Sequence, residues 1–149
     1  MTTLTAQPTD VPRADVAARP ASFQDPACQA FWLLRIGFIV APILFGLDKF
    51  FDVLVDWERY LAPEFNDLIP GNAHQAMLAV GVVEIAAGLV VAIRPRFGGY
   101  LVAAWLAGII VNLLLIGDYY DVALRDFGLL LAALTLARLA TAFPTRQQA

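Results

Sequence analysis

Four apolar runs, each close to the length of a bilayer crossing, dominate this chain. They cover residues 31–55, 73–93, 97–116 and 122–143. A helix rises about 1.5 Å per residue, so roughly 20 apolar residues match a hydrocarbon layer of about 30 Å. In lipid every backbone N–H and C=O must be bonded within the protein, and a spanning strand needs only about half that length. Runs of this length therefore predict helices. The composition agrees: 60% of residues are hydrophobic and 15% charged, against roughly 45–50% and about 25% in average usage. A single domain of 149 residues cannot hide that much apolar surface from water, so most of it is expected to face lipid.

The connections set the topology. Arg94-Pro95-Arg96 is so short a link that the second and third runs must be antiparallel neighbours, and Gly117 to Asp121 does the same for the third and fourth. The predicted fold is all-α: an integral membrane four-helix bundle of up-down, antiparallel topology. Pro42 lies inside the first run, where it removes a backbone donor and is expected to bend the helix. The longer first connection, Asp56 to Asn72, mixes Trp57, Tyr60, Leu61, Phe65, Leu68 and Ile69 with acids. It fits either a short interfacial helix with its apolar side in the headgroups or a loop with apolar anchors.

Residues 1–30 are rich in Thr, Pro, Ala and Asp and have no sustained apolar run, which predicts a disordered or loosely ordered tail. They carry no secretory pattern, so the first apolar segment is expected to remain in the mature protein. The transmembrane domain is then residues 31–143, followed by a short tail at 144–149. Arg13, Arg19, Arg94, Arg96, Arg138 and Arg146 fall on one side of four crossings, and the acids of the first and third connections on the other. By the cation rule both termini are expected to be cytoplasmic, in a multi-pass protein of the cell membrane. Trp57, Tyr60, Tyr119 and Tyr120 would form an outer aromatic belt.

Charges inside such helices cost roughly 2.5–3.5 kcal/mol each on insertion scales, so each needs a reason. Glu84 lies mid-way along the second run, on nearly the same face as Gly81 and Gly88, which let another helix approach. Asn112 follows Gly108 by four residues and Ala104 by eight, a small-residue stripe expected to turn it inward. Lys49 lies near the outer end of the first run and shares a face with Arg35, Pro42 and Gly46. Arg125 and Asp126 open the fourth run. Lys49, Glu84, Asn112, Arg125 and Asp126 thus fall near one level on four helices and are the candidate ligand-binding residues; no catalytic residue is assigned. Each also has a plain structural reading. Asp118 or Asp121 would cap the fourth helix, Asp121 and Arg125 would form an i,i+4 pair, and Lys49 and Arg125 would snorkel to headgroups. Asn112 would bond a neighbouring helix, Glu84 would be a paired or neutral acid, and His74 and Arg138 would mark the two boundaries.

Several functions are disfavoured. The net charge of −3 and singly scattered cations give no face for nucleic acid. The lone Cys28 and lone His74 exclude a disulfide framework, a CxxC pair and bis-histidine haem ligation within one chain. A metal site from Glu84, Asp118, Asp121 and Asp126 would lack an inward histidine.

The chain resembles the DoxX-like family of small four-helix membrane proteins over roughly residues 31–140. The resemblance is carried by Arg35, by FGLDKF from Phe45 to Phe50 with Gly46 and Lys49, by Glu84-Ile-Ala-Ala-Gly88, and by RDFGLLLAALTLARL from Arg125 to Leu139. It implies a membrane subunit attached to redox chemistry, since the family includes a subunit of a thiosulfate:quinone oxidoreductase. The expectation is an accessory subunit whose polar pocket takes a quinone or another lipid-soluble ligand, with a redox partner protein. The alternatives are a small proton-coupled transporter using Glu84, working as a homodimer, and a structural scaffold for a soluble partner.

Overall fold

The computed structural model describes residues 23–63 and 72–143. Among them are four α-helices, α1 (Pro26–Asp48), α2 (Ala73–Ile93), α3 (Pro95–Ile116) and α4 (Tyr120–Ala142), and a 3-10 turn at Trp57–Tyr60. No strand occurs in the described residues. Residues 1–22, 64–71 and 144–149, which hold most of the expected N-terminal tail, half of the first connection and the C-terminal tail, lie outside the described residues.

Local chemistry explains each boundary. α1 starts at Pro26 rather than Phe31, so the last part of the expected tail is helical. Asp25 accepts the N–H of Ala27 at 2.9 Å, and Pro26, whose fixed φ suits a first turn, follows it. The helix passes through Pro42 unbroken and stops at Asp48 rather than Val55. The reason is Asp48 itself. Its carboxylate accepts the N–H groups of Val53 (3.2 Å) and Leu54 (3.1 Å), offering the chain an alternative to the helical ladder. Asp52, at φ 49°, makes the reversal in the left-handed region that Asp tolerates better than most residues.

Asn72 caps α2 by accepting the N–H of Gln75 at 2.9 Å. Arg94, held out of the helical region by Pro95 (φ −133°, ψ 75°), ends α2 and leads straight into α3. Gly117 ends α3 in the left-handed conformation (φ 82°). The expected acidic cap of the last helix is not formed: Tyr119 is the N-cap and makes no side-chain bond there.

The helices pack as a ring, most extensively α1 on α2 and α3 on α4, with α2–α3 and α1–α4 contacts closing it. Glycines set the spacing. A Cβ on Gly46 would meet Gly81 O at 2.6 Å, and one on Gly81 would meet Gly46 O at 2.7 Å, so the α1 and α2 backbones cross in direct contact there. Gly88 faces Ile39 O on the same seam, and Gly99 brings α3 onto Ala133 O of α4. Gly108, by contrast, has nothing within 4 Å, and Ala104 is exposed. The expected stripe on α3 therefore faces outward, not toward the bundle.

A core of Phe31, Phe38, Val91, Val102, Leu106 and Leu136 with interleaved alanines fills the interior. Large apolar side chains such as Leu44, Leu89, Val111 and Leu131 stand exposed on the outside. Among the described residues, the buried polar ones are Arg35, Asp48, Lys49, Glu84 and Asp126. Apolar surfaces outside and charges inside are what a lipid solvent selects. α1, α2 and α3 are long and apolar enough to cross a membrane. α4 is as long as α1 but carries Asp121, Arg125, Asp126 and Arg138. These features describe an integral membrane protein.

Candidate functional site

The glycine crossing builds the site. Lys49 and Glu84 each follow a crossing glycine by three residues, about one turn, so they leave their helices on the contact side. A Cβ on Gly81 would lie 3.2 Å from Lys49 Cβ, so any larger residue would push the lysine away. With the backbones this close, Lys49 Nζ donates to Glu84 Oε2 at 2.7 Å. The residues are 4% and 9% exposed. Lys49 is thus paired across the helices rather than snorkelling to the headgroups.

The chain that follows α1 folds over this pair as a strap. The Trp57 ring centroid lies 3.6 Å from Lys49 Nζ, a cation–π contact, while its Nε1–H donates to Asp48 Oδ2 at 2.7 Å. Asp48 therefore holds both the backbone and the indole of the strap. Asn112 fastens the far end. Its Nδ2 donates to Tyr60 O at 2.5 Å and its Oδ1 accepts the N–H of Ala62 at 2.9 Å. Half-buried on α3, it grips the strap where the sequence suggested a bond to a neighbouring helix. Of the residues expected in the outer belt, Trp57, Tyr60 and Tyr119 touch one another, while Tyr120 is exposed. Phe45, Trp57, Tyr60 and Tyr119 form a chain with ring centroids 6.1, 6.1 and 4.7 Å apart. His74 Nδ1, at the start of α2, lies 3.3 Å from Glu58 of the strap, with both side chains about half exposed.

The rest of the candidate set divides. Asp126 is buried on α4, and among the described residues no hydrogen bond or ion pair joins it to Lys49 or Glu84. Arg125 is not in the layer: its side chain is 70% exposed and its Nε lies 3.9 Å from Asp126 Oδ1. It makes no ion pair with Asp121 among the described residues, because it turns toward its immediate neighbour. The polar layer thus consists of the Lys49–Glu84 pair and the separately buried Asp126, with Asn112 tied to the strap and Arg125 exposed. No three His, Cys, Asp or Glu side chains among the described residues come together as metal ligands would.

Three participants were not singled out from sequence. Asp48 carries no role in the sequence reading beyond its place in FGLDKF, and Trp57 is there a belt residue and an apolar anchor of the first connection. Trp105 lies seven residues, two turns, before Asn112 and so shares its face of α3. Its indole is in range of the Glu84 carboxylate, yet its buried Nε1 completes no hydrogen bond. A tryptophan at mid-span, whose N–H needs a partner wherever it is buried, was the available signal.

The layer offers an ammonium and an indole N–H as donors and two carboxylates as acceptors or proton carriers. Lys49 is matched by Glu84 at 2.7 Å, while the cation nearest to hand for Asp126 is the exposed Arg125 at 3.9 Å. No protein-family model, curated protein or solved structure matches the chain.

Proposed function

We propose that all four helices span the membrane and that the Lys49–Glu84–Asp126 layer receives a lipid-soluble ligand with hydrogen-bond-accepting oxygens, of which a quinone is the type. The observation that carries this reading is the buried Lys49–Glu84 pair beside a buried donor, Trp105 Nε1, which completes no hydrogen bond although the Glu84 carboxylate is in range. A buried donor left unpaired costs about 1–3 kcal/mol, which a carbonyl oxygen delivered from the bilayer would recover. A quinone supplies two-electron redox chemistry and takes up protons as it is reduced. The residues here would orient it: Trp105 and Lys49 donate to its oxygens, and Glu84 and Asp126 hold a proton. With the resemblance to DoxX-like proteins, this favours an accessory membrane subunit that works with a redox partner.

Binding of a short-chain quinone to the purified chain, followed by quenching of tryptophan fluorescence, tests the reading. Saturable binding that weakens in Glu84→Gln and in Trp105→Phe is expected. No saturable binding, or equal binding in both variants and the parent chain, overturns it.

One observation favours a second reading. Asp126 is a second buried acid whose ion pair, to the exposed Arg125, is long at 3.9 Å, and a proton or a small cation would offset its charge. A proton-coupled transporter would use Glu84 in this way. Flux into proteoliposomes under a pH gradient that disappears in Glu84→Gln would displace the quinone reading.

A further inference from the structure

The opposite end of the bundle holds a second buried charge that the layer does not use. Arg35 on α1 is 8% exposed, and its Nη2 donates to Ala92 O at the end of α2. Its Nε and Nη1 are buried without a hydrogen-bond partner, and among the described residues no carboxylate lies within 4.0 Å of it. Asp25, on the same end of α1, is engaged in capping its own helix. A guanidinium does not shed its proton, so burial cannot neutralise it. The α2 carbonyl end and the Trp32 ring, 4.9 Å away, offset part of this charge. Neither is an anion.

Position says where an anion would come from. Arg35 is level with Ala92, next to the corner where Arg94 ends α2 and Pro95 begins α3. About 13 Å of α1 continues beyond that level, at 1.5 Å per residue. The corner therefore marks the end of the four-helix section, which on the membrane reading is where hydrocarbon gives way to headgroups. The α3 N-terminus there has no side-chain cap; Pro95 has no N–H and Gly98 N–H bonds Arg94 O, which leaves the amides of Arg96 and Phe97 without a helical acceptor. Arg94 and Arg96 flank it and are exposed.

We propose that this corner binds the phosphate of an anionic phospholipid, with Arg35 as the buried anchor and the α3 N-terminus, Arg94 and Arg96 around it. Trp32, itself partly exposed, turns aside to admit the headgroup to Nε and Nη1. The proposal rests on the membrane reading alone, and failure of that reading would show separately as failure to enter lipid discs.

The test uses the full chain in discs of phosphatidylcholine with and without phosphatidylglycerol, with lipid retained on extraction measured by native mass spectrometry. The parent chain should retain phosphatidylglycerol over phosphatidylcholine by roughly tenfold, the size of one charge-assisted bond. Arg35→Gln should bring that preference close to one, and Arg94→Gln/Arg96→Gln, on the surface, should reduce it partly. Absence of any preference in the parent chain overturns the proposal whether or not Arg35→Gln folds, as does an undiminished preference in Arg35→Gln. Inorganic phosphate added to phosphatidylcholine discs should leave thermal unfolding unchanged. If it stabilises the parent chain and not Arg35→Gln, the ligand is free phosphate and the lipid assignment fails.

Discussion

Lys49 Nζ lies between two partners of different kinds, 2.7 Å from the Glu84 carboxylate and 3.6 Å from the centroid of the Trp57 ring. The ion pair holds α1 to α2, and the ring holds the strap to the ion pair. Removal of the lysine therefore exposes both contacts to loss. Lys49→Met should destabilise the protein by about 3–5 kcal/mol, because Glu84 is left buried without its partner. The double variant Lys49→Met/Glu84→Leu should lose less than the single one. Unfolding in detergent, followed by circular dichroism in a double-mutant cycle, measures the difference.

The glycines of the chain should separate sharply by position. Gly81→Ala places a methyl against Gly46 O and should cost about 1–3 kcal/mol or more, by forcing α1 from α2. Gly108→Ala meets nothing within 4 Å and should be neutral or stabilising by up to about 1 kcal/mol, through helix propensity alone. Thermal unfolding of the two variants side by side decides this.

Asn112→Ala removes both strap bonds and leaves the helices in place. Amide hydrogen exchange at Ala62 should speed up, while exchange within α2 and α3 stays unchanged. Equal protection at Ala62 in the variant would show that the strap is held elsewhere.

Asp48→Ala should release the other end. Without the carboxylate, the N–H groups of Val53 and Leu54 and the Trp57 indole lose their acceptor. A shift of tryptophan emission to longer wavelength, with helix content retained, is the expected signature.

His74→Ala should change little. The His74–Glu58 pair is about half exposed on both sides, and exposed pairs contribute roughly 0–1 kcal/mol. A loss well beyond that range would assign His74 a role in holding the strap.

The helical architecture was legible because lipid imposes a length on every apolar run, and Pro95 and Gly117 punctuate the runs with chemistry that acts locally. The seam at Gly81 and Gly88 was legible too, since a glycine beside a buried acid has few other uses. The end of α1 was not. Residues 49–55 are apolar enough to continue a helix, and only the three-dimensional position of Asp48 diverts them. Arg125 misled for a related reason: it is adjacent to Asp126 in sequence, but a turn of about 100° per residue sends it to the outside. Asn112 was placed on its inward face by a glycine stripe that in fact looks outward, and its backbone partners, 50 and 52 residues away, leave no periodic trace.

The strap leaves α1 yet is pinned to α3, so a stretch of backbone, rather than side chains alone, couples the two helix hairpins. A single proteolytic nick between Asp48 and Tyr60 would spare every α-helix and leave Tyr60 and Ala62 on Asn112, cutting only the covalent tie between α1 and the strap at the mouth of the ion pair.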